Sequence, residues 1–168
     1  PATRFPIHDH ACLIYESENE WQDNVIPFLI AGLEKGEKCV YGLNHRTKQY
    51  IKACLQKEGI DVTTYEKSGQ LLILDKSVLP QEQDIDRMDQ IQDFYIKFLE
   101  QSLAQGYPAV RFTNESLYTL LGLDSAHRMV EFNSRMNTII FPNYPCVALC
   151  QYDRFKTDPN MLSLAILY

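Results

Sequence analysis

PCVALCQYDR, from Pro145 to Arg154, decides the fold. An apolar run that opens on a proline passes without polar alternation into Gln151, Tyr152, Asp153 and Arg154. Unbroken apolar runs of about five residues belong to strands buried on both faces, the kind found in parallel sheets covered by helices. In such sheets ligands lie outside the carboxyl ends of the strands, where the chain leaves the core and polar side chains converge on a crevice. Cys150, Tyr152 and Asp153 stand at that end. Taken singly, Cys150 also reads as a small core residue and Asp153 as a helix cap or turn former.

Working outward, four more stretches read as strands: ACLIYE after the polar, proline-punctuated PATRFPIHDH, then Lys38 to Leu43, Gln70 to Leu74, and AVRFT introduced by Pro108. Ile60 to Val62 reads as a brief extended piece. Helical spacing lies between them. Val25, Phe28, Leu29, Gly32 and Leu33 form one apolar stripe, after an acidic stretch from Glu16 to Asn24, with Pro27 suited to a first turn and Gly36 closing the helix. Thr47 to Glu58 is amphipathic, Asp84 to Gln105 is the longest pattern, and further helices are expected around Ser116 to Leu121 and Ser125 to Ile140. Pro159 directly after Asp158 marks a helix start, although MLSLAILY is apolar enough for a sixth strand. Crossovers of a dozen residues or more call for a parallel sheet with helices on both faces. The fold class is therefore α/β, a three-layer sandwich around a mainly parallel sheet of five or six strands, and residues 1–168 read as a single domain.

Composition narrows the function. A formal charge of -6 without a concentrated Lys or Arg cluster argues against direct nucleic-acid binding. The densest basic patch, Lys35, Lys38, His45, Arg46 and Lys48, is interrupted by Glu34 and Glu37 and reads as a solvated face. No apolar run approaches the roughly 20 residues needed to cross a bilayer, and no charged-then-apolar leader is present, so a cytoplasmic protein is expected. Five cysteines, mostly inside apolar runs, suit reduced thiols better than a disulfide framework.

Several motifs in one order carry a family likeness: HxCxxY at His10 to Tyr15, PFLIAGLEKGEKCVYGL at Pro27 to Leu43, GIDV at Gly59 to Val62, GQLLIL at Gly69 to Leu74, RFTNE at Arg111 to Glu115, and PCVALCQYDR. Together they resemble the MEDS domain, a sensory domain of methanogens and methylotrophs, over nearly the whole chain. The resemblance implies a RecA/KaiC-like fold that has lost its nucleotide-binding loop. It also implies a place in prokaryotic signal-transduction proteins beside a histidine kinase, PAS or helix-turn-helix output domain, present in the same chain or acting in trans. The implied ligand is a simple hydrocarbon or methylated derivative, and a homodimer is allowed for. Asn114 stands where the family's T-G-E form has glycine, and Tyr118 where Trp is common.

The residues themselves support the loss of ATPase chemistry. A phosphate-cradling loop needs GxxxxGK[ST] after the first strand, so that backbone N–H groups wrap the phosphates and the lysine reaches the terminal ones. ESENEWQDN stands there instead, without glycine or lysine and with Glu16, Glu18 and Glu20 to repel a triphosphate. No cofactor is expected.

The candidate ligand-binding residues are His10, Cys12, Tyr15, Glu16, Glu115, Cys150, Tyr152 and Asp153, the last six gathered in one hollow at the carboxyl edge, with Asn44 completing the rim. Glu115 could orient a polar ligand or be the relic of a catalytic acid or base; it could equally stabilise the start of the next helix. His10 and Cys12, at i and i+2, share one side of their strand. With Cys146 and Cys150 they form a soft-metal donor set only if the strand ends coincide. His10 and Cys12 begin one strand while Cys150 ends another, so no metal site is expected and His10 is a poor base for Cys150. The leading expectation is a non-catalytic sensory module. The alternatives are a residual nucleotide hydrolase, a thiol-dependent enzyme, or a dimerising scaffold if the carboxyl edge is filled by side chains.

Overall fold

A computed structural model describes residues 5–75, 78, 88–115 and 126–167. Five strands, β1 (His10–Tyr15), β2 (Lys38–Gly42), β3 (Leu71–Leu74), β4 (Val110–Glu115) and β5 (Cys146–Asp153), form one sheet in the order β1-β5-β4-β2-β3. Every neighbouring pair is parallel. β5 is buried along almost its whole length, as its unbroken apolar run requires.

The helices are α1 (Glu18–Glu34), α2 (Lys48–Lys57), α3 (Val62–Lys67), α4 (Met88–Ala104), α5 (Ala126–Arg135) and α6 (Pro159–Leu167); a π-helical turn, Met136–Ile140, continues α5. On one face of the sheet, Trp21, Phe28 and Leu29 of α1 and Ile51 and Leu55 of α2 pack on Cys39, Tyr41, Val147 and Leu149. On the other face, Ile91, Tyr95 and Leu99 of α4 and Phe132 of α5 pack on Val110, Phe112 and Ala148, while Ala165 and Leu162 of α6 cover Cys150 and Tyr152. These are the three layers expected.

The structure departs from the sequence reading in two places. α1 begins inside the acidic stretch: Ser17 accepts the Glu20 N–H, and the Glu20 carboxylate accepts the Glu16 N–H. Pro27 therefore lies inside a 17-residue helix rather than in its first turn, and Trp21, surrounded by polar residues in the sequence, is fully buried. Val62 opens helix α3 instead of ending an extended piece, because Asp61 caps it by accepting from Thr64 N–H and its hydroxyl. The last segment is the helix that Pro159 after Asp158 marks, and not the alternative sixth strand, with Asp158 accepting the Asn160 and Met161 N–H groups. The helix expected around Ser116 to Leu121, Tyr118 with it, and the starts of the helices expected from Asp84 and Ser125 lie outside the described residues.

Candidate functional site

Strand alternation sorts the candidates before any other effect acts. Successive side chains point to opposite faces, so in β1 and β5 the even-numbered residues face α5 and α6 and the odd-numbered ones face α1. Register joins them: His10 lies opposite Ala148, Cys12 opposite Cys150 and Tyr15 opposite Asp153. His10, Cys12, Cys150 and Tyr152 therefore share one side, and Tyr15 belongs to the other with Glu115. The single hollow expected from the sequence is two separate places.

On the α1 side the carboxyl edge is filled by a polar network. Buried Glu115 accepts the Tyr41 hydroxyl at 2.6 Å, the His45 N–H at 2.6 Å and the Arg46 N–H at 3.1 Å. The Arg46 guanidinium, 3.7 Å from Glu115, donates to both Glu18 oxygens and to the Tyr15 hydroxyl, and lies 3.9 Å from the Trp21 ring centroid. Burial alone would lower the Arg46 pKa; the bonds to Glu18 and Tyr15 outweigh it and raise it. Trp21 Nε1–H donates to Gln151 Oε1 at 2.6 Å, Gln151 Nε2–H donates to Thr113 Oγ1 at 2.7 Å, and the Thr113 hydroxyl donates to the Leu149 carbonyl at 2.8 Å. Burial first, then the Glu115 charge, push the Tyr41 phenol well above its ordinary value, so Tyr41 is a standing donor. With its oxygens already committed, Glu115 is a structural acceptor in this arrangement.

On the α6 side a cleft of about 280 Å³ remains open between β1, β5, α5 and α6, lined by His10, Cys12, Cys150, Tyr152, Asn133 and Ala165 among others. His10 Nδ1–H donates to Asn137 Oδ1 at 2.8 Å, which leaves Nε2 unprotonated to accept the Cys150 S–H at 3.4 Å. The imidazole stacks on Phe141 with centroids 4.7 Å apart. Burial lowers the His10 pKa against the opposing Asn137 bond, and burial pushes the Cys150 thiol up to about 12. Cys12, beside Cys150 and exposed, is also raised by partial burial.

Register overturns the reading that separated His10 from Cys150. β5 starts opposite the residues before His10, so Cys150 is only two steps beyond the partner of His10 and the imidazole reaches it. Strand ends in sequence are not strand ends in space. Even so, among the described residues no group of three or more His, Cys, Asp or Glu side chains could hold a metal ion.

The other candidates lie at the margin of the α1-side network, with Asp153 opposite Tyr15. Glu16 pairs with Arg154 on the surface. Asp153 accepts the Phe155 N–H at 3.0 Å and pairs with Lys156 at 3.1 Å, making the turn after β5. Burial alone would raise its carboxyl; these bonds outweigh it and hold the group below the ordinary range. Asn44 donates to His45. The basic patch is not uniformly solvated: Arg46 is the centre of the α1-side network, and Lys38 is buried with its Nζ bonded to Gln105. Arg46, Tyr41, Trp21 and Gln151 were missed as site residues. The usable signal for Arg46 was its place just beyond the carboxyl end of β2; for Trp21 no local signal existed. A depression of about 690 Å³ between α1 and α2 contains none of the candidates.

The family model described as "MEthanogen/methylotroph, DcmR Sensory domain" matches residues 9–166, nearly the whole chain. The chain belongs to the MEDS family. This MEDS domain is 25% identical over 146 residues to the transcriptional repressor DcmR of Methylorubrum extorquens, covering 87% of the chain and 52% of the repressor. It thus spans about half the length of that curated relative. Its fold is similar to that of the flagellar accessory protein FlaH of Methanocaldococcus jannaschii, with a TM-score of 0.62 over 97% of the chain and 69% of FlaH at 12% identity. The parallel five-stranded α/β sheet is RecA-like, and the family and the repressor relative give the MEDS domain a sensory, signalling role. No helix among the described residues is long and apolar enough to cross a membrane.

Proposed function

We propose that this MEDS domain is a non-catalytic, cytoplasmic module that senses a simple hydrocarbon or methylated derivative in the cleft between β1, β5 and α6, and passes the signal to a separate output domain. That output is a histidine kinase, PAS or helix-turn-helix module, in the same chain or in trans. One observation carries the reading: Ala165 of α6 forms a wall of the cleft that His10 and Cys150 form from the sheet. An occupant thereby changes how α6 sits, and a ligand with different affinity for two packings is all a switch requires.

Nucleotide hydrolysis is disfavoured by the same chemistry read from the sequence. The turn into α1 has no glycine or lysine, and Arg46, the cation at that edge, is already paired with Glu18 and Glu115. The filled edge on the α1 side favours a scaffold only for that side; the α6-side cleft is open.

The test is thermal or urea unfolding of the purified chain with short alcohols, methylated amines and halomethanes. A fitting ligand at a hundredfold excess over its Kd raises stability by about 2.7 kcal/mol. Ala165→Phe, which fills the cleft, abolishes the shift. No shift across the panel, or one that survives in Ala165→Phe, removes this reading; ATP binding at micromolar concentration removes the non-catalytic part.

A further inference from the structure

The His10–Cys150 pair has the geometry of a base and its nucleophile, and Asn137 is the group that orients the base. A thiol within reach of an imidazole nitrogen whose other nitrogen is fixed by a third side chain is the arrangement that activates nucleophiles in unrelated proteins. Here the orienting bond from Nδ1–H to Asn137 Oδ1 aims the Nε2 lone pair at sulfur. Cys150 is 5% exposed, yet it belongs to the wall of the 280 Å³ cleft, beside a small molecule held there.

The cleft's charge decides which electrophile suits. Among the described residues, no Lys, Arg, Asp or Glu lines it. Burial keeps the resting thiol and imidazole both neutral. A displacement reaction, such as alkylation by a halide, would create an imidazolium and an expelled anion in a partly dry cleft, where desolvating both ions is costly even as a pair. Addition to a carbonyl leaves nothing behind.

We propose that the cleft captures a small aldehyde as a reversible hemithioacetal on Cys150. The Cys150 sulfur forms a bond to the carbonyl carbon as the C=O π bond opens. The thiol proton passes to His10 Nε2 and from there to the new oxygen. Nothing is oxidised, reduced or expelled, and the site is neutral before and after. Asn133, in the same wall, is the polar side chain available to hold the new hydroxyl. The inference rests on the sensory reading of the same cleft and deepens it: the ligand is recognised by its reactivity, and the bond reverses when the aldehyde falls.

Cys12, exposed and opposite Cys150, is the competing thiol. The experiment uses the full chain with acetaldehyde labelled with ¹³C at the carbonyl, followed by carbon NMR, where hemithioacetal, hydrate and imine carbons are resolved. The wild type shows a hemithioacetal resonance that disappears when the aldehyde is removed. Cys150→Ser loses it, with circular dichroism confirming the fold. His10→Gln keeps sulfur but slows exchange by roughly 10²-fold. Ala165→Phe loses the resonance with Cys150 intact, and together with Cys150→Ala it answers the question if the serine variant does not fold. Cys12, Cys39, Cys54 and Cys146 remain in the Cys150 variants, so a resonance that persists there assigns the adduct to one of them and overturns the proposal. Absence of the resonance in the wild type overturns it too. If alcohols and methylated compounds raise stability while no hemithioacetal forms, covalent capture falls and the sensory reading stands. If the hemithioacetal forms without any stability shift from the panel, capture stands and the non-covalent ligand class falls.

Discussion

The Tyr41 hydroxyl and the Glu115 carboxylate are joined at 2.6 Å across adjacent strands, beneath the Arg46 guanidinium. Tyr41 and Glu115 project to the same face because β2 and β4 are parallel neighbours in which Gly42 lies opposite Asn114. Glu115 is 1% exposed, so its removal strands a hydroxyl, two backbone N–H groups and part of a cation's compensation. Glu115→Ala is expected to cost about 3 kcal/mol, the range for breaking a buried charge pair. Urea unfolding measures it; a loss below about 1 kcal/mol would mean that water replaces the carboxylate and the network is not a support.

Trp21 is the only tryptophan, so its emission reports on the same network without added labels. Its ring carries the Arg46 guanidinium on its face, and its Nε1–H is bonded to Gln151. Arg46→Lys keeps the charge but not the planar stack or the fork to Glu18. The expected result is a change in Trp emission intensity and a loss of about 1 kcal/mol; an unchanged spectrum would place the guanidinium elsewhere.

Two glycines in the region of α1 should behave in opposite ways. A Cβ on Gly32 would stand 2.6 Å from Arg111 Cδ and Nε and from Cys39 Sγ, all buried, and Arg111 is held there by Glu37 at 2.6 Å and by the Phe28 ring. Gly36 has open space around it but a φ of 74°. Gly32→Ala is expected to cost about 3 kcal/mol through overpacking, and Gly36→Ala about 1 kcal/mol through backbone conformation alone. Paired thermal melts distinguish them, and equal costs would show that Arg111 can move aside.

Acid should weaken the fold earlier than its carboxylates alone require. Burial holds the His10 pKa below its ordinary 6.5 in the folded chain, and the Asn137 bond only partly offsets this. Below that value the unfolded chain binds a proton that the folded chain refuses. The His10 contribution is therefore complete above pH 6.5 and is lost as pH falls towards the folded pKa. Glu18 and Asp153, both held below the ordinary carboxylate range, add their losses at lower pH. Urea midpoints from about pH 8 to about pH 5 should fall in the wild type and stay flatter in His10→Gln. Parallel curves would assign the loss to other groups.

Much of this architecture is legible in the chain, and the illegible part has a common cause. PCVALCQYDR announces a strand buried on both faces, and the helices between strands impose parallel pairing, because both signals are local. Helix α1 starts earlier than its apolar stripe suggests, since its first turn is written in Ser17, Glu18 and Glu20, where capping chemistry and polar loop composition look alike. Strand register is non-local: nothing near His10 says that it faces Ala148, so its meeting with Cys150 is invisible in the sequence. Parity is the exception. Numbering alone separates Cys150 and Tyr152 from Gln151 and Asp153 once the strand is accepted.

The π-helical turn at Met136–Ile140 bears on how this site could have arisen. Such turns hold one residue more than an α-helix needs, and they gather at functional positions. Asn137 sits within it and fixes the His10 ring. Excising one residue here would restore regular winding and rotate the later part of the helix by about 100° relative to the earlier part. A carboxamide would then swing away from the imidazole, which would be free to flip its tautomer and turn its proton towards sulfur. The partnership of His10 and Cys150 thus depends on one extra residue in the helix that leads into β5, far in sequence from β1 alone.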